Sequence, residues 1–263
     1  MRRLWRELAG LVLPVECAGC GLPRTELCGP CRRRLARGGR GAARVRPDPP
    51  PAGLPEVWAG AVYAGEVRAV LLAHKERGAL RLAEPLGAAL AGAVRGLCGR
   101  QGGAGPRAGP VVLVPVPSAR RAVAGRGHDP VRRLAYAAAR ELRRTGRAAR
   151  VWPGLRQCRA VADQAGLGAR ERLVNLAGAL EVRGGAAGAV AAERMVLVDD
   201  LVTTGATLAE AGRAVAAAGG RALGAAVVAA PGSAFAVRPE PGPECGRSED
   251  SRGNSGDGTA PEG

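Results

Sequence analysis

The chain has 263 residues, of which 46% are hydrophobic, and it carries a formal net charge of +16. This length allows one medium-sized domain with appendages, and no run of about 20 apolar residues predicts a membrane-spanning helix. Only 2% of the residues are aromatic, so the core has to be built from alanine, valine and leucine.

The positive charge has two interpretations. Arginine supplies almost all of it, since Lys75 is the only lysine, and such a composition is typical of translation from a GC-rich genome. However, residues 1–46 carry eleven arginines against three glutamates, which is half of the net charge. A basic segment of this kind is also typical of a nucleic-acid-binding surface. Composition alone leaves both interpretations open.

The first 16 residues predict a short amphipathic helix, because apolar side chains recur at helical spacing. The apolar run over residues 8–15 is short, is interrupted by Pro14 and is followed by Glu16. It therefore lacks the pattern of a secretory signal peptide. We expect a cytoplasmic protein without membrane insertion.

Four of the seven cysteines form two C-x2-C pairs that are seven residues apart. Each pair can present two thiolates from one tight turn, and two such turns can surround a tetrahedral zinc ion. A C-x2-C redox pair is the alternative. An odd number of cysteines argues against a secreted disulfide framework. The predicted ligands of a structural zinc ion are Cys17, Cys20, Cys28 and Cys31.

Composition divides the chain into four predicted parts. Residues 1–40 form the N-terminal helix and the cysteine finger, and residues 41–56 form a Pro/Gly/Arg-rich linker. In residues 57–237, apolar runs typical of buried strands alternate with helical patterns, which predicts an α/β domain with a mostly parallel sheet flanked by helices. Residues 238–263 are polar and rich in Gly, Pro and Ser, which predicts a disordered tail.

The segment MVLVDDLVTTGATL, residues 195–208, places two acidic residues directly after a predicted buried strand. A turn rich in Thr and Gly follows, and then a predicted helix. In parallel sheets, ligands bind beyond the carboxyl ends of the strands, and the start of a helix favours an anion. The turn therefore suits a phosphate, and the two carboxylates beside it suit sugar hydroxyls and Mg²⁺. The alternative is a strand–helix junction in which Asp200 or Thr203 only caps the helix.

This segment resembles the signature of type I phosphoribosyltransferases, which bind 5-phosphoribosyl 1-diphosphate (PRPP). The resemblance implies that residues 203–207 hold the ribose 5-phosphate and that the two acids meet the ribose hydroxyls, partly through Mg²⁺. It also makes Asp200 the expected catalytic residue, near the charge that develops on the sugar. The predicted PRPP-binding residues are Asp199, Asp200, Thr203, Thr204, Gly205, Ala206 and Thr207.

Further segments resemble the ComF family of competence proteins, which joins a four-cysteine finger to a domain of this type. LAGLVLPVECAGC and LCGPC are similar to its finger, and VPVPSARRAVAGRGHDPVRRLA is similar to its VPVP…R…RGFNQ segment. RQCRAVADQAGLGARERLVNLAGAL is similar to its R–R–x–Q–x–L–R–N–A block. The RGFNQ position differs here, since it is occupied by His128, Asp129 and Pro130 after Arg126 and Gly127.

Four basic residues are candidates for contacts to pyrophosphate. Lys75 precedes a glycine turn at the end of a predicted helix, which suits a pyrophosphate-binding loop, although it can also be a solvated helix end. An arginine-rich segment between the second and third predicted strands lies where type I enzymes often place a mobile hood, and a solvated surface is its alternative. The candidates are Lys75, Arg77, Arg156 and Arg159.

Two functions are therefore open. The first is a transferase that displaces pyrophosphate from the anomeric carbon of PRPP with a base-like acceptor. The second is a non-catalytic adaptor that binds PRPP or a nucleotide and associates with single-stranded DNA or competence-machinery proteins. The basic N-terminus favours the adaptor, whereas the scarcity of aromatic residues argues against extensive base stacking. The sequence indicates no acceptor.

Overall fold

A computed structural model describes residues 15–100, 109–159, 168–184 and 194–235. The predicted helix over residues 1–16 falls almost entirely outside these ranges, and the predicted tail over residues 238–263 falls wholly outside them. The helices are α1 (Gly29–Arg40), α2 (Gly65–Glu76), α3 (Ala83–Arg100), α4 (Arg120–Arg126), α5 (Pro130–Arg144), α6 (Ala169–Leu176) and α7 (Ala206–Ala217). The strands are β1 (Ala43–Val45), β2 (Val57–Val62), β3 (Val111–Pro115), β4 (Ala149–Val151), β5 (Leu155–Gln157), β6 (Leu180–Val182), β7 (Arg194–Leu201) and β8 (Ala222–Ala230). Among the described residues, no helix has both the length and the apolar character needed to cross a bilayer.

Six strands form one sheet in the order β1-β2-β8-β7-β3-β4. Every pair is parallel except β1 with β2, which is antiparallel. The predicted α/β class with a mostly parallel sheet flanked by helices is therefore confirmed. Because the five parallel strands run the same way, the ends of β3 and β7 meet at one edge of the sheet. We call this edge, beyond the carboxyl ends of the strands, the carboxyl edge.

The two faces of the sheet are covered by different elements. Side chains alternate between faces along a strand. Val196 and Val198 of β7 pack into a core with α1, α2, α3 and α5. Met195 and Leu197 pack on the opposite face with α7 and with the small antiparallel hairpin of β5 and β6. This alternation decides which face each residue after Val198 can reach.

The sequence at the start of helix α5 contains two residues that favour a helix N-terminus, Asp129 and Pro130. Asp129 is its N-cap, and its carboxylate accepts hydrogen bonds from the Arg132 N–H at 3.1 Å and the Ser118 hydroxyl at 3.2 Å. Pro130 occupies the first turn, where its missing N–H costs nothing. Asp129 and Pro130, which depart from the RGFNQ pattern, are therefore residues that start a helix.

The hairpin of β5 and β6 is held against α7 by Glu210 and Arg213, which we call the clamp. Glu210 accepts a hydrogen bond from the Leu180 N–H at 3.0 Å, and Arg213 donates to the Leu180 carbonyl at 2.9 Å. Arg213 also bonds the Glu210 carboxylate at 2.7 Å. Burial opposes ionisation of Glu210, but these hydrogen bonds outweigh it and lower its pKa. The clamp fixes one side of the segment that was expected to form a hood.

Part of the expected linker contributes to the domain. Ala43–Val45 is strand β1, paired with β2 at the edge of the sheet. Farther along, Leu54 is partly buried on the face that carries α7. We call residues 15–40 the cysteine-containing segment. Residues 41–56 therefore connect this segment to the sheet through packed side chains and strand pairing, in addition to the covalent chain.

Candidate functional site

The four predicted zinc ligands converge. Their sulfur atoms all lie within 4.8 Å of one another, and the Cys20 and Cys28 sulfurs are 3.6 Å apart. Four sulfurs about 2.3 Å from a tetrahedral zinc ion would be about 3.8 Å apart, so the donor set fits zinc. Protein ligands would then fill every position, which is typical of a structural ion. Cys17, Cys28 and Cys31 are buried, whereas Cys20 is exposed.

The thiols of this cluster differ in their readiness to ionise. Burial opposes ionisation of Cys17, but hydrogen bonds from the Cys28, Cys20 and Gly19 backbone stabilise its thiolate and lower its pKa to about 6. Burial and the neighbouring thiols raise the pKa of Cys31. Cys17 therefore forms a thiolate readily, whereas a bound cation would be needed to deprotonate Cys31.

The acidic couplet lies at the carboxyl edge of the sheet, at the end of β7. By the alternation along β7, Asp200 points to the face that carries α2, and Asp199 points to the opposite face. The Lys75 ammonium, from the last turn of α2, contacts the Asp200 carboxylate at 2.7 Å. The Asp200 N–H donates to the Asp199 carboxylate at 2.8 Å. The only lysine of the chain thus meets the second acid of the couplet.

The couplet and the lysine influence one another's ionisation. Burial and the adjacent Asp200 charge raise the pKa of Asp199 well above its ordinary value. Burial opposes the charge on Lys75, but the Asp200 carboxylate outweighs it and raises the pKa of the ammonium. Lys75 is therefore charged at neutral pH, whereas Asp199 resists ionisation until a further cation or donor arrives.

The turn after the couplet has the geometry of a helix start. Gly205 precedes α7 with a φ of +79°, a conformation that side-chain-bearing residues rarely adopt. A Cβ at this position would also lie 2.9 Å from the Leu54 side chain. The Thr204 hydroxyl accepts a long hydrogen bond of 3.4 Å from the Ala206 N–H. Thr203 is exposed and Thr207 is half-buried, so both residues lie near the surface at the start of α7.

The four pyrophosphate candidates do not share one location. Lys75 lies at the couplet, whereas the Arg77 guanidinium folds back on α2 and donates to the Ala69 carbonyl at 3.3 Å. Arg156 pairs with Glu181 across the β5–β6 hairpin at 2.6 Å. Arg159 donates to the Asn175 and Ala177 carbonyls at 2.9 and 2.6 Å. Lys75 is in direct contact with Asp200, a predicted PRPP-binding residue.

Sequence reasoning did not anticipate a histidine pair next to Lys75. The rings of His74 and His128 meet edge to face with centroids 6.1 Å apart. Burial lowers the pKa of His74 to about 4, and the nearby His128 and Arg133 act in the same direction, against Asp200. Neither Nε2 atom finds a hydrogen-bond partner among the described residues. The two histidines are the only ones in the chain, but nothing in their spacing indicated that they would meet.

The fold and the cysteine cluster define the broad class of the protein. It is an α/β protein in which a mostly parallel sheet of six strands is joined to four cysteines that are close enough to hold zinc. This combination fits a zinc finger attached to a Rossmann-like or phosphoribosyltransferase-like domain. Comparison with protein-family models and with curated proteins finds no match to the chain.

Proposed function

We propose that this chain is a ComF-like protein that binds PRPP at the carboxyl edge of its sheet. The observation that carries the proposal is the placement of Asp199 and Asp200 at the end of β7, with Lys75 on Asp200 and the threonine turn directly behind them. The N–H groups at the start of α7 and the hydroxyls of Thr203, Thr204 and Thr207 would receive the 5-phosphate. The carboxylates would receive the ribose hydroxyls.

Lys75 has a specific part in this proposal. The Lys75 ammonium neutralises the Asp200 carboxylate in the ion pair. An arriving pyrophosphate group would offer it a more highly charged partner, and Asp200 would then be released to meet the sugar. The ion pair would therefore keep the Asp200 charge neutralised until PRPP binds. Carboxylate oxygens suit Mg²⁺, which would supply neutralisation of the pyrophosphate when bound at the couplet.

If the protein is a transferase, the bond from the anomeric carbon to pyrophosphate breaks as an acceptor attacks. Asp200 would face the positive charge that develops on the sugar, and Lys75 would stabilise the negative charge on the leaving group. The threonine turn would hold the sugar in line with the acceptor. If the protein is a sensor, the same residues bind PRPP but no acceptor follows.

Calorimetric titration with PRPP and Mg²⁺ tests the binding site. We expect binding to the wild type and at least a tenfold loss of affinity in Asp200→Asn, with the same chemical change at exposed Asp48 as a control. Pyrophosphate release in the presence of a panel of nucleobases then separates a transferase from a sensor. Absence of a binding signal with the zinc-loaded wild type would refute the proposal.

A second candidate function, association with single-stranded nucleic acid, is favoured by a surface groove of about 510 Å³. The groove lies between the cysteine-containing segment and helices α3 and α5. Tyr136, which is 48% exposed, lies in its wall with the Arg132 guanidinium 5.8 Å from its ring centre. An exposed ring among arginines offers base stacking and phosphate contacts. The lining includes Arg32, Arg81, Arg133 and Arg140, together with Glu26 and Glu84.

Fluorescence anisotropy with a labelled oligothymidine across a salt series tests this second candidate. We expect affinity to fall steeply with salt and to weaken in Tyr136→Ala, since stacking on one ring contributes about 1–3 kcal/mol per base. Tyr63→Ala removes the chain's other tyrosine, which is not part of the groove lining, and serves as the control. Equal affinities for both variants would exclude the groove as the binding surface.

A further inference from the structure

Helix α2 connects the cysteine cluster to the carboxyl edge. Glu66 lies in its first turn and Lys75 in its last. Nine residues of helix at a rise of 1.5 Å separate them by about 14 Å. A helix of this length, with Val67, Val70, Leu71 and Ala73 buried in the core, moves as one body. Whatever fixes its first turn therefore also fixes where Lys75 lies.

The first turn of α2 is held by the cysteine-containing segment. The Arg34 guanidinium, from α1, contacts the Glu66 carboxylate at 3.0 Å, and the two side chains are only 27% and 19% exposed. Gly19, within the first cysteine pair, approaches the same place. A Cβ on Gly19 would lie 2.8 Å from the Cys31 sulfur and 3.1 Å from the Glu66 Cβ. The backbone at Gly19 is therefore packed closely against the Glu66 side chain.

The packing beneath this contact is continuous. Cys31 and Leu35 of α1 are almost completely buried and belong to the same core as Val67 and Leu71 of α2. A displacement of α1 would therefore be transmitted to α2, because packed cores do not deform gradually. At the far end, the 2.7 Å contact between Lys75 and Asp200 requires α2 to stay in place.

We propose that Arg34 and Glu66 are positioning residues that hold Lys75 at Asp200 by fixing α2 against the cysteine cluster. The cysteine cluster would then help to position Lys75 at the carboxyl edge, in addition to stabilising its own segment. The consequence for ligand affinity rests on the proposed function, whereas the consequence for the position of Lys75 does not.

Lys75 can be observed alone, because it is the only lysine of the chain. In protein labelled with ¹³C-lysine, one side-chain Cε resonance reports its surroundings. Asp200→Asn removes the ion pair and provides the reference position for a released Lys75. We expect Arg34→Ala to move the resonance more than halfway to that reference while bound zinc stays at one equivalent.

A matched control is offered by Arg81, which pairs with Glu26 at 3.5 Å. This pair also joins the cysteine-containing segment to the rest of the chain, but through the short helix Leu80–Leu82 and not through α2. Arg81→Ala should leave the Lys75 resonance at its wild-type position. The exchange Arg34→Glu with Glu66→Arg should restore the wild-type position, which a purely structural loss would not allow.

Titration with inorganic pyrophosphate and Mg²⁺ adds the functional readout. Arg34→Ala should weaken the affinity by about fivefold, the lower end of typical coupling between sites, and the double exchange should recover it. A Lys75 resonance unchanged in Arg34→Ala, but moved in Asp200→Asn, would overturn the proposal. If the wild type binds no pyrophosphate, the proposed function fails, and the resonance alone still decides the positioning role.

Discussion

The cysteine cluster and the carboxyl edge both gather titratable side chains, but they are assembled in opposite ways. The cluster takes four residues of one type from a stretch of 15 residues, and these converge within 4.8 Å. The carboxyl edge joins Lys75 to Asp200, which lie in distant parts of the chain. The cluster is closed once a metal fills it, whereas the edge balances its own charges and leaves a neighbouring turn near the surface. The cysteine cluster is therefore suited to stabilising the fold, whereas the carboxyl edge is suited to binding a ligand.

The largest expected effect comes from breaking the cluster. Cys31→Ser should abolish stoichiometric zinc binding and lower the unfolding free energy by several kcal/mol, because metal-binding free energy, roughly 10–16 kcal/mol in isolated fingers, is folding free energy. Metal analysis and thermal denaturation measure both. Cys158→Ser is the control, since that thiol is exposed and donates to the Gly178 carbonyl. Full zinc content in Cys31→Ser would contradict the predicted ligand set.

The next effect tests the turn at the carboxyl edge. Gly205→Ala should destabilise the protein by about 2 kcal/mol, because the left-handed conformation costs 1–2 kcal/mol for a residue with a Cβ, and the new Cβ would meet Leu54 at 2.9 Å. Urea denaturation measures the change. Gly99→Ala, in the last turn of α3 with open space around it, should be neutral or stabilising. Equal effects of the two substitutions would argue against the strained turn.

A smaller effect of opposite sign is expected at Asp199. Its pKa is raised in the folded protein by burial and by Asp200, so its ionised form destabilises the fold at neutral pH. Asp199→Asn should therefore stabilise the protein by about 1 kcal/mol at pH 7. Because the folded state binds the proton more tightly, wild-type stability should rise as pH falls through the folded pKa. The advantage of the variant should vanish below the ordinary pKa of aspartate, as denaturation at several pH values would show.

The smallest change in stability is expected at Asp200, although its substitution should have the largest effect on PRPP binding. Asp200→Asn removes the contact with Lys75, whose side chain is 37% exposed, but it also relieves repulsion between the two acids. These effects oppose each other, so the unfolding free energy should change by less than about 1 kcal/mol. A large loss of stability would mean that the couplet holds the fold together, and the contrast with the cysteine cluster would disappear.

Local patterns in the sequence were enough to predict much of the architecture. The apolar runs that became β3 and β7 are buried along most of their length, as expected for strands covered on both faces. The spacing of the cysteines predicted a cluster that the structure does assemble. The buried strands and the cysteine cluster are each formed by residues that are close in the chain, so composition and spacing are enough to predict them. The roles of the predicted PRPP-binding and pyrophosphate-binding residues stay predictions.

Contacts between distant elements could not be predicted in the same way. The clamp of Glu210 and Arg213 on Leu180, and the meeting of His74 with His128, depend on how the elements pack and not on their own sequences. Arg77 was a candidate for the same pyrophosphate contact as Lys75, but its side chain contacts the Ala69 carbonyl whereas Lys75 contacts Asp200. A charged residue at a helix end can reach several partners, and only packing selects one.

The sequence by itself determined that a cysteine cluster precedes an α/β domain and that an acidic couplet follows a buried strand. Chain spacing and hydrophobic period carry this information, since both act over a few residues. The tertiary structure decided that Asp200 faces α2, that Lys75 meets it, and that the cysteine cluster packs against the helix which carries Lys75. These outcomes depend on the register and packing of the sheet and its helices, which only the folded chain fixes.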